Sequence, residues 1–93
     1  MGKGRRINRL TEALEIPPEV LVNVPRVEVV GHLQIRVENH QGVEFYQPYR
    51  VVLRTSEGKL VVNGQDLLIG WIDSHELLVT GHVRSVVFRG IRP

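Results

Sequence analysis

One short phrase occurs three times along the chain and limits what it can fold into: an apolar residue, any residue, valine, any residue, glycine. The copies are Val27-Glu28-Val29-Val30-Gly31, Leu60-Val61-Val62-Asn63-Gly64 and Leu77-Leu78-Val79-Thr80-Gly81. Each is a strand-period alternation closed by the residue most tolerant of a turn or bulge. The apolar pattern resumes after each glycine, at Leu33 and Ile35, at Leu67 and Ile69, and at Val83. A chain written this way makes short β-strands and spends few residues on recognisable chemistry.

The stretch from Val27 to Phe88 holds 13 valines in 62 residues, and β-branched side chains suit a pleated, half-buried surface. Strands are expected near 26–30, 33–38, 43–46, 50–55, 59–63, 66–72, 76–80 and 83–88. Ser56-Glu57-Gly58, between two alternating runs, is the best hairpin signal. Asn63-Gly64 reads as a second tight turn. Links this short leave no room for parallel crossovers. The fold class is therefore mainly β: a small antiparallel sandwich or roll of seven to eight short strands with a short N-terminal helix. The repeat glycines are 33 and then 17 residues apart. That near two-to-one spacing supports an alternative, a short β-solenoid with a degenerate rung at Val43-Glu44-Phe45-Tyr46-Gln47.

The first 18 residues differ from the rest. Ile7, Leu10 and Leu14 fall at helical spacing, and Pro17-Pro18 ends the pattern. A helix this short is marginal alone, so its apolar stripe needs a surface to dock on. Its own domain is the first choice; a partner groove or a membrane surface is the alternative. Residues 19–25 read as a connector and 26–93 as the β-domain. Residues 1–11 carry Lys3, Arg5, Arg6 and Arg9 without an acid, whereas residues 12–93 carry eight basic and ten acidic residues. The basic character belongs to the tail, which weakens any whole-domain argument for nucleic acid.

Ninety-three residues make one domain with one small core. There is no cysteine, hence no disulfide and no thiolate metal site. No apolar run approaches the roughly 20 residues that span a bilayer, and no secretory leader pattern is seen.

Motifs for catalysis are missing: there is no nucleophile elbow, phosphate-binding loop or dinucleotide fingerprint. The four histidines, His32, His40, His75 and His82, form no metal-ligand spacing, although His32 and His82 follow equivalent glycines. No enzyme, cofactor, metal or small-molecule substrate is expected. The run Glu38-Asn39-His40-Gln41-Gly42 is the most polar in the β region. It reads first as a turn, since Asn and Gly accept left-handed backbone, and second as a recognition loop. Arg50 and Arg54 share one strand face beside Tyr46 and Tyr49, a weak version of a nucleic-acid surface. Trp71, in the most apolar run (67–72), is expected in a central strand buried on both sides. Phe45, Tyr46 and Phe88 are expected in the core or at its edge.

Several stretches together resemble the YabP/YqfC family of sporulation proteins, most closely its YqfC-type members. They are Leu-Thr-Glu-Ala-Leu-Glu-Ile-Pro (10–17), Pro-Arg-Val-Glu-Val-Val-Gly (25–31), Val-Glu-Asn-His-Gln-Gly-Val (37–43), Gly-Lys-Leu-Val-Val-Asn-Gly (58–64) and Val-Thr-Gly-His-Val-Arg-Ser-Val-Val-Phe (79–88). They stand in order over nearly the whole chain. Tyr46-Gln47-Pro48-Tyr49 departs from the family pattern, which is closer to tyrosine-threonine-proline-glutamate. The resemblance implies a non-enzymatic protein of spore envelope development, made in the mother cell cytoplasm. It further implies a membrane-protein partner, which would place the chain at the periphery of the forespore outer membrane. Independently of the resemblance, the open sheet edges of a strand-dense domain suggest a homo-oligomer. The candidate interaction residues are Lys3, Arg5, Arg6, Arg9, Glu38, Asn39, His40, Arg50 and Arg54. The alternatives are a nucleic-acid-binding β-module, which the neutral domain makes the weaker reading, and a peripheral membrane adaptor using the basic helix.

Overall fold

A computed structural model describes residues 23–90. The expected N-terminal helix, with Lys3, Arg5, Arg6 and Arg9, lies outside the described residues, as does Arg92. Six antiparallel strands form one sheet: β1 (Arg26–Val30), β2 (Gln34–Glu38), β3 (His40–Gln47), β4 (Arg50–Thr55), β5 (Gly58–Ile72) and β6 (Glu76–Arg89). Their order across the sheet is β1-β2-β6-β5-β4-β3.

The eight expected strands become six because two expected turns are bulges inside long strands. Asn63-Gly64 and Gly81-His82 lie within β5 and β6, which pair from Lys59↔Arg89 to Ile72↔Leu77 with register shifts at 63/64, 65/68 and 69/71. Bulges bend and twist a ladder without ending it. Here they fold the sheet onto itself. One half holds β1, β2, the start of β6 and the end of β5; the other holds β3, β4, the start of β5 and the end of β6.

The bend needs glycine at both positions. A Cβ on Gly64 would collide with the His82 carbonyl, and one on Gly81 would meet the Asp66 carbonyl, with φ at +128° as well. Gly31, the third repeat glycine, sits in the β1–β2 turn beside them: Gly81 N donates to Leu33 O (3.2 Å) and Val83 N to His32 O (2.8 Å). The glycine ends of the three phrases thus lie close to one another. Each phrase pairs antiparallel with other segments and never with another phrase, so none stacks as a parallel rung and the solenoid alternative is set aside.

Both inner faces supply one core. Ile35, Val37, Leu77 and Val79 come from one half; Val51, Leu53, Leu60, Val62 and Val83 come from the other; Leu67 sits at the bend. Burying each such side chain contributes about 1.5–3 kcal/mol. The turn at Ser56-Glu57 is a two-residue hairpin, as expected, with Thr55 opposite Gly58. Thr55 Oγ1 donates to Gly58 O (2.8 Å) and accepts from Glu57 N (3.1 Å).

The large aromatics are not where the sequence places them. Trp71 is 44% exposed and Phe88 51%. Past the bend β4 no longer follows β5, so among the described residues the end of β5 is paired only to β6 and Trp71 lies on an edge. The end of β6 is an edge for the same reason, since β2 pairs only with its first five residues. Phe45 and Tyr46 are also about two-fifths exposed, on the edge strand β3.

Candidate interaction surface

The outer face of the β3–β4–β5–β6 half is set by register. Val51 and Leu53 point into the core, so Arg50, Val52 and Arg54 point out. Cross-strand pairing then places Phe45, Val52, Val61 and Val87 in one row across four strands. One flanking row contains Arg50, Asn63 and Ser85; the other contains Arg54, Lys59 and Arg89, with Glu44 beside it. Between them runs a shallow groove of about 230 Å³, lined by Glu44, Arg50, Val52, Lys59, Val61 and Arg89. Its floor is apolar and its walls are mostly cationic.

Hydrogen bonds order one wall. Arg50 Nε donates to Asn63 Oδ1 (2.9 Å), and Asn63 Nδ2 donates to Ser85 Oγ (3.0 Å). The Arg50 guanidinium also sits 6.0 Å above the Tyr49 ring, which meets Phe45 edge-on at 6.2 Å. On the other wall Glu44 binds Lys59 Nζ at 2.7 Å and Arg54 at 3.4 Å. The Lys59 hydrogen bond is the main reason the Glu44 carboxyl is held below its ordinary range, against partial desolvation. One carboxylate shared by two cations leaves the face positive. Exposed pairs of this kind add little stability; their effect is to fix where the charges stand.

Arg50 and Arg54 therefore do share a face, and the structure adds Lys59, Arg89 and the apolar row between. The hairpin at 56–57 already places Arg54 opposite Lys59. Arg89 and Val87 were not legible, because the β5 bulges shift the β6 register.

Glu38, Asn39 and His40 lie elsewhere, at the corner where the chain passes between halves. The turn expected over 39–42 is instead a one-residue break at Asn39 (φ +65°) followed by a bulge inside β3, where Gly42 has φ +121° between the paired residues His40 and Val43. Asn39 N donates to His75 O (2.6 Å), and Asn39 Nδ2 donates to Val24 O (2.9 Å). His40 is buried: Nδ1 accepts from Gly42 N (3.1 Å), so Nε2 carries the proton donated to Asp73 O (2.9 Å). Asp73 Oδ1 in turn accepts from the N–H groups of His75 (2.8 Å) and Glu76 (2.7 Å). Those backbone bonds hold its carboxyl below the usual carboxylate range. Glu38 stands 3.7 Å from Arg36, which Glu76 binds more closely at 2.6 Å.

His32 and His82 do come together, with ring centroids 5.0 Å apart. Among the described residues no group of three or more His, Cys, Asp or Glu could hold a metal ion, and no helix is long and apolar enough to cross a membrane.

The other outer face is apolar along its β5 edge and, beyond that edge, carries acids interleaved with arginines, Arg36 being bound to Glu76 and close to Glu38. Register puts Leu68, Trp71 and Leu78 together there, with Glu28, Glu38 and Glu76 against Arg26 and Arg36.

Comparison with known proteins covers the whole described region. The model of the YabP family matches residues 23–92. A protein of Bacillus subtilis (strain 168), described as uncharacterized protein YqfC, is 38% identical over 87 residues, covering 89% of this chain and 94% of that one.

Proposed function

The chain belongs to the YabP family, and from that premise we propose that it serves spore formation as a binding module and not as a catalyst. Family membership supports the link to sporulation. One observation supports the mode of action: an apolar row across four strands, walled by cations. A surface of that kind fits a protein patch with apolar residues inside an acidic rim. Electrostatic complementarity would set its orientation and speed its encounter.

The fitting partner is a second copy. Trp71, Leu78 and Leu68 offer an apolar edge to the groove, and Glu28, Glu38 and Glu76 against Arg26 and Arg36, three acids to two arginines, leave that face with one net negative charge to meet the cationic walls. A contact between two different faces is heterologous, so it generates a ring or an open chain of subunits. Such an assembly, on the cytoplasmic side of the forespore outer membrane in the mother cell, would present many copies to a membrane-protein partner of spore envelope development.

Sedimentation velocity across a concentration series tests this. Wild type is expected to grow in sedimentation coefficient with concentration. Trp71→Glu, or the pair Arg54→Glu and Arg89→Glu, should each stay monomeric alone. Mixed together they should form a dimer that stops there, since each keeps one intact face. A wild-type monomer at every concentration would overturn the self-assembly reading.

A further inference from the structure

The bent sheet has a second lip, between β1 and the end of β6. The two strands flank it from end to end. At one end Val83 N donates to His32 O (2.8 Å). At the other, Ser56 Oγ donates to Asn23 O (2.6 Å), and the turn that carries Ser56 leads to Gly58, packed on the backbone of Arg89 and Gly90. Among the described residues no ladder joins the strands between those pins: β1 pairs there only with β2, and residues 82–89 only with β5.

The lip is apolar on its inner side. Val27 and Val86 pack partly against the core. Val29 and Phe88, on the same inward alternation, remain 50% and 51% exposed. Two unpaired strand edges above an uncovered apolar slot are an aggregation hazard unless something covers them.

We propose that the chain's own N-terminal segment is that cover, with Ile7, Leu10 and Leu14 seated along the lip against Val29 and Phe88. Three observations support the choice. Asn23, from which residues 1–22 depart, is pinned at one end of the lip. The lengths agree: the helix expected over 5–15 would span roughly 16 Å, and five-residue β1 spans roughly 17 Å. Six residues (17–22) reach up to about 20 Å, enough for the chain to turn back along the lip. The chemistry agrees as well, since the segment's narrow apolar stripe matches a narrow apolar slot. Arg5, Arg6 and Arg9 lie mostly off the stripe and stay in water. Covering an edge with a helix blocks strand pairing there. Assembly is thereby directed to the outer faces, although the cover does not depend on that assembly.

The chain has no cysteine, so paired cysteines report this contact cleanly. Leu10→Cys with Phe88→Cys, and separately Ile7→Cys with Val29→Cys, are placed in the full chain and oxidised at low protein concentration. A docked segment should close an intrachain disulfide about tenfold or more over the outer-face control Leu10→Cys with Val52→Cys, because docking raises the effective thiol concentration. The product is monomeric and 2 Da lighter, as expected for a two-electron oxidation releasing two hydrogens to the added oxidant. Two results overturn the proposal: disulfides forming only between chains, which assign the lip to a second copy, or free thiols in both pairs with circular dichroism unchanged. If the first pair does not fold, the second decides. Failure here would leave the sedimentation result of the outer faces untouched.

Discussion

The two lips of the bent sheet are closed by opposite chemistry. On one side β3 meets the end of β5 and the 73–75 corner through polar groups. Leu67 N donates to Pro48 O (2.8 Å) and Gly64 N to Tyr49 O (3.0 Å). The Tyr46 hydroxyl donates to Leu67 O (3.5 Å) and accepts from Ile69 N (3.3 Å). His40 Nε2, bonded to Asp73 O, and Asn39 N, bonded to His75 O, fasten the corner. On the other side Val29 and Phe88 are about half exposed, between two strand edges that no described strand pairs. The described β-domain therefore seals one lip with its own side chains and leaves the other shaped for an apolar occupant. Buried polar groups that are fully bonded fix a unique geometry, whereas an apolar slot accepts any segment of the right width.

Substitutions can break this contrast, and their effects should fall in a definite order. Gly64→Val strikes the bend on which both lips depend. Its side chain would overlap the His82 carbonyl, and a cost above about 3 kcal/mol in urea unfolding is expected. His40→Ala comes next, since it leaves the Gly42 N–H and the Asp73 carbonyl without partners. A loss of about 2–3 kcal/mol is expected, confined to the sealed lip. Tyr46→Phe removes only two long hydrogen bonds at the same lip and should cost about 0.5–1.5 kcal/mol. A Tyr46→Phe loss larger than that of His40→Ala would reverse the assignment of the latch.

The smallest effect is one of pH. Backbone N–H groups hold the Asp73 carboxyl below its ordinary value, near 4 in the unfolded chain. Its contribution is thus complete above about pH 4 and disappears as pH falls through the lower, folded-state value. Asp73→Ala should lower stability at neutral pH and flatten the acid decline. Equal acid slopes for the two proteins would show that the carboxyl does not serve the corner.

Much of this was legible in the sequence and some was not, for physical reasons. Strand positions followed from alternation and glycine punctuation: β1 and β4 fall where expected, and the Ser56-Glu57 turn set the Arg54–Lys59 register. Glycine itself was ambiguous. The residue that ends a strand also lets one bend, and only the close approach of Gly64 to His82 and of Gly81 to Asp66 decides between the two. The misplacement of Trp71 follows from that ambiguity. An unbroken apolar run reads as a buried strand, yet beyond a bend the neighbouring strand departs and the run becomes an edge. The groove was half legible for the same reason. Arg50 and Arg54 lie before the bulges, while Val87 and Arg89 come after them. His40 was read in a polar loop, and nothing local shows that its ring reaches Asp73, 33 residues on.

The contrast between lips rests on the open one having an occupant from the same chain. A double-mutant cycle between Leu10→Ser and Phe88→Ser, in the full chain and below the concentration of assembly, measures that directly. Residues in contact couple by about 0.5–3 kcal/mol, whereas distant ones add. The account predicts a coupling of about 1 kcal/mol, with Phe88→Ser costing less once Leu10 has been replaced. Strict additivity of the two substitutions, each destabilising as though the other were absent, would contradict it.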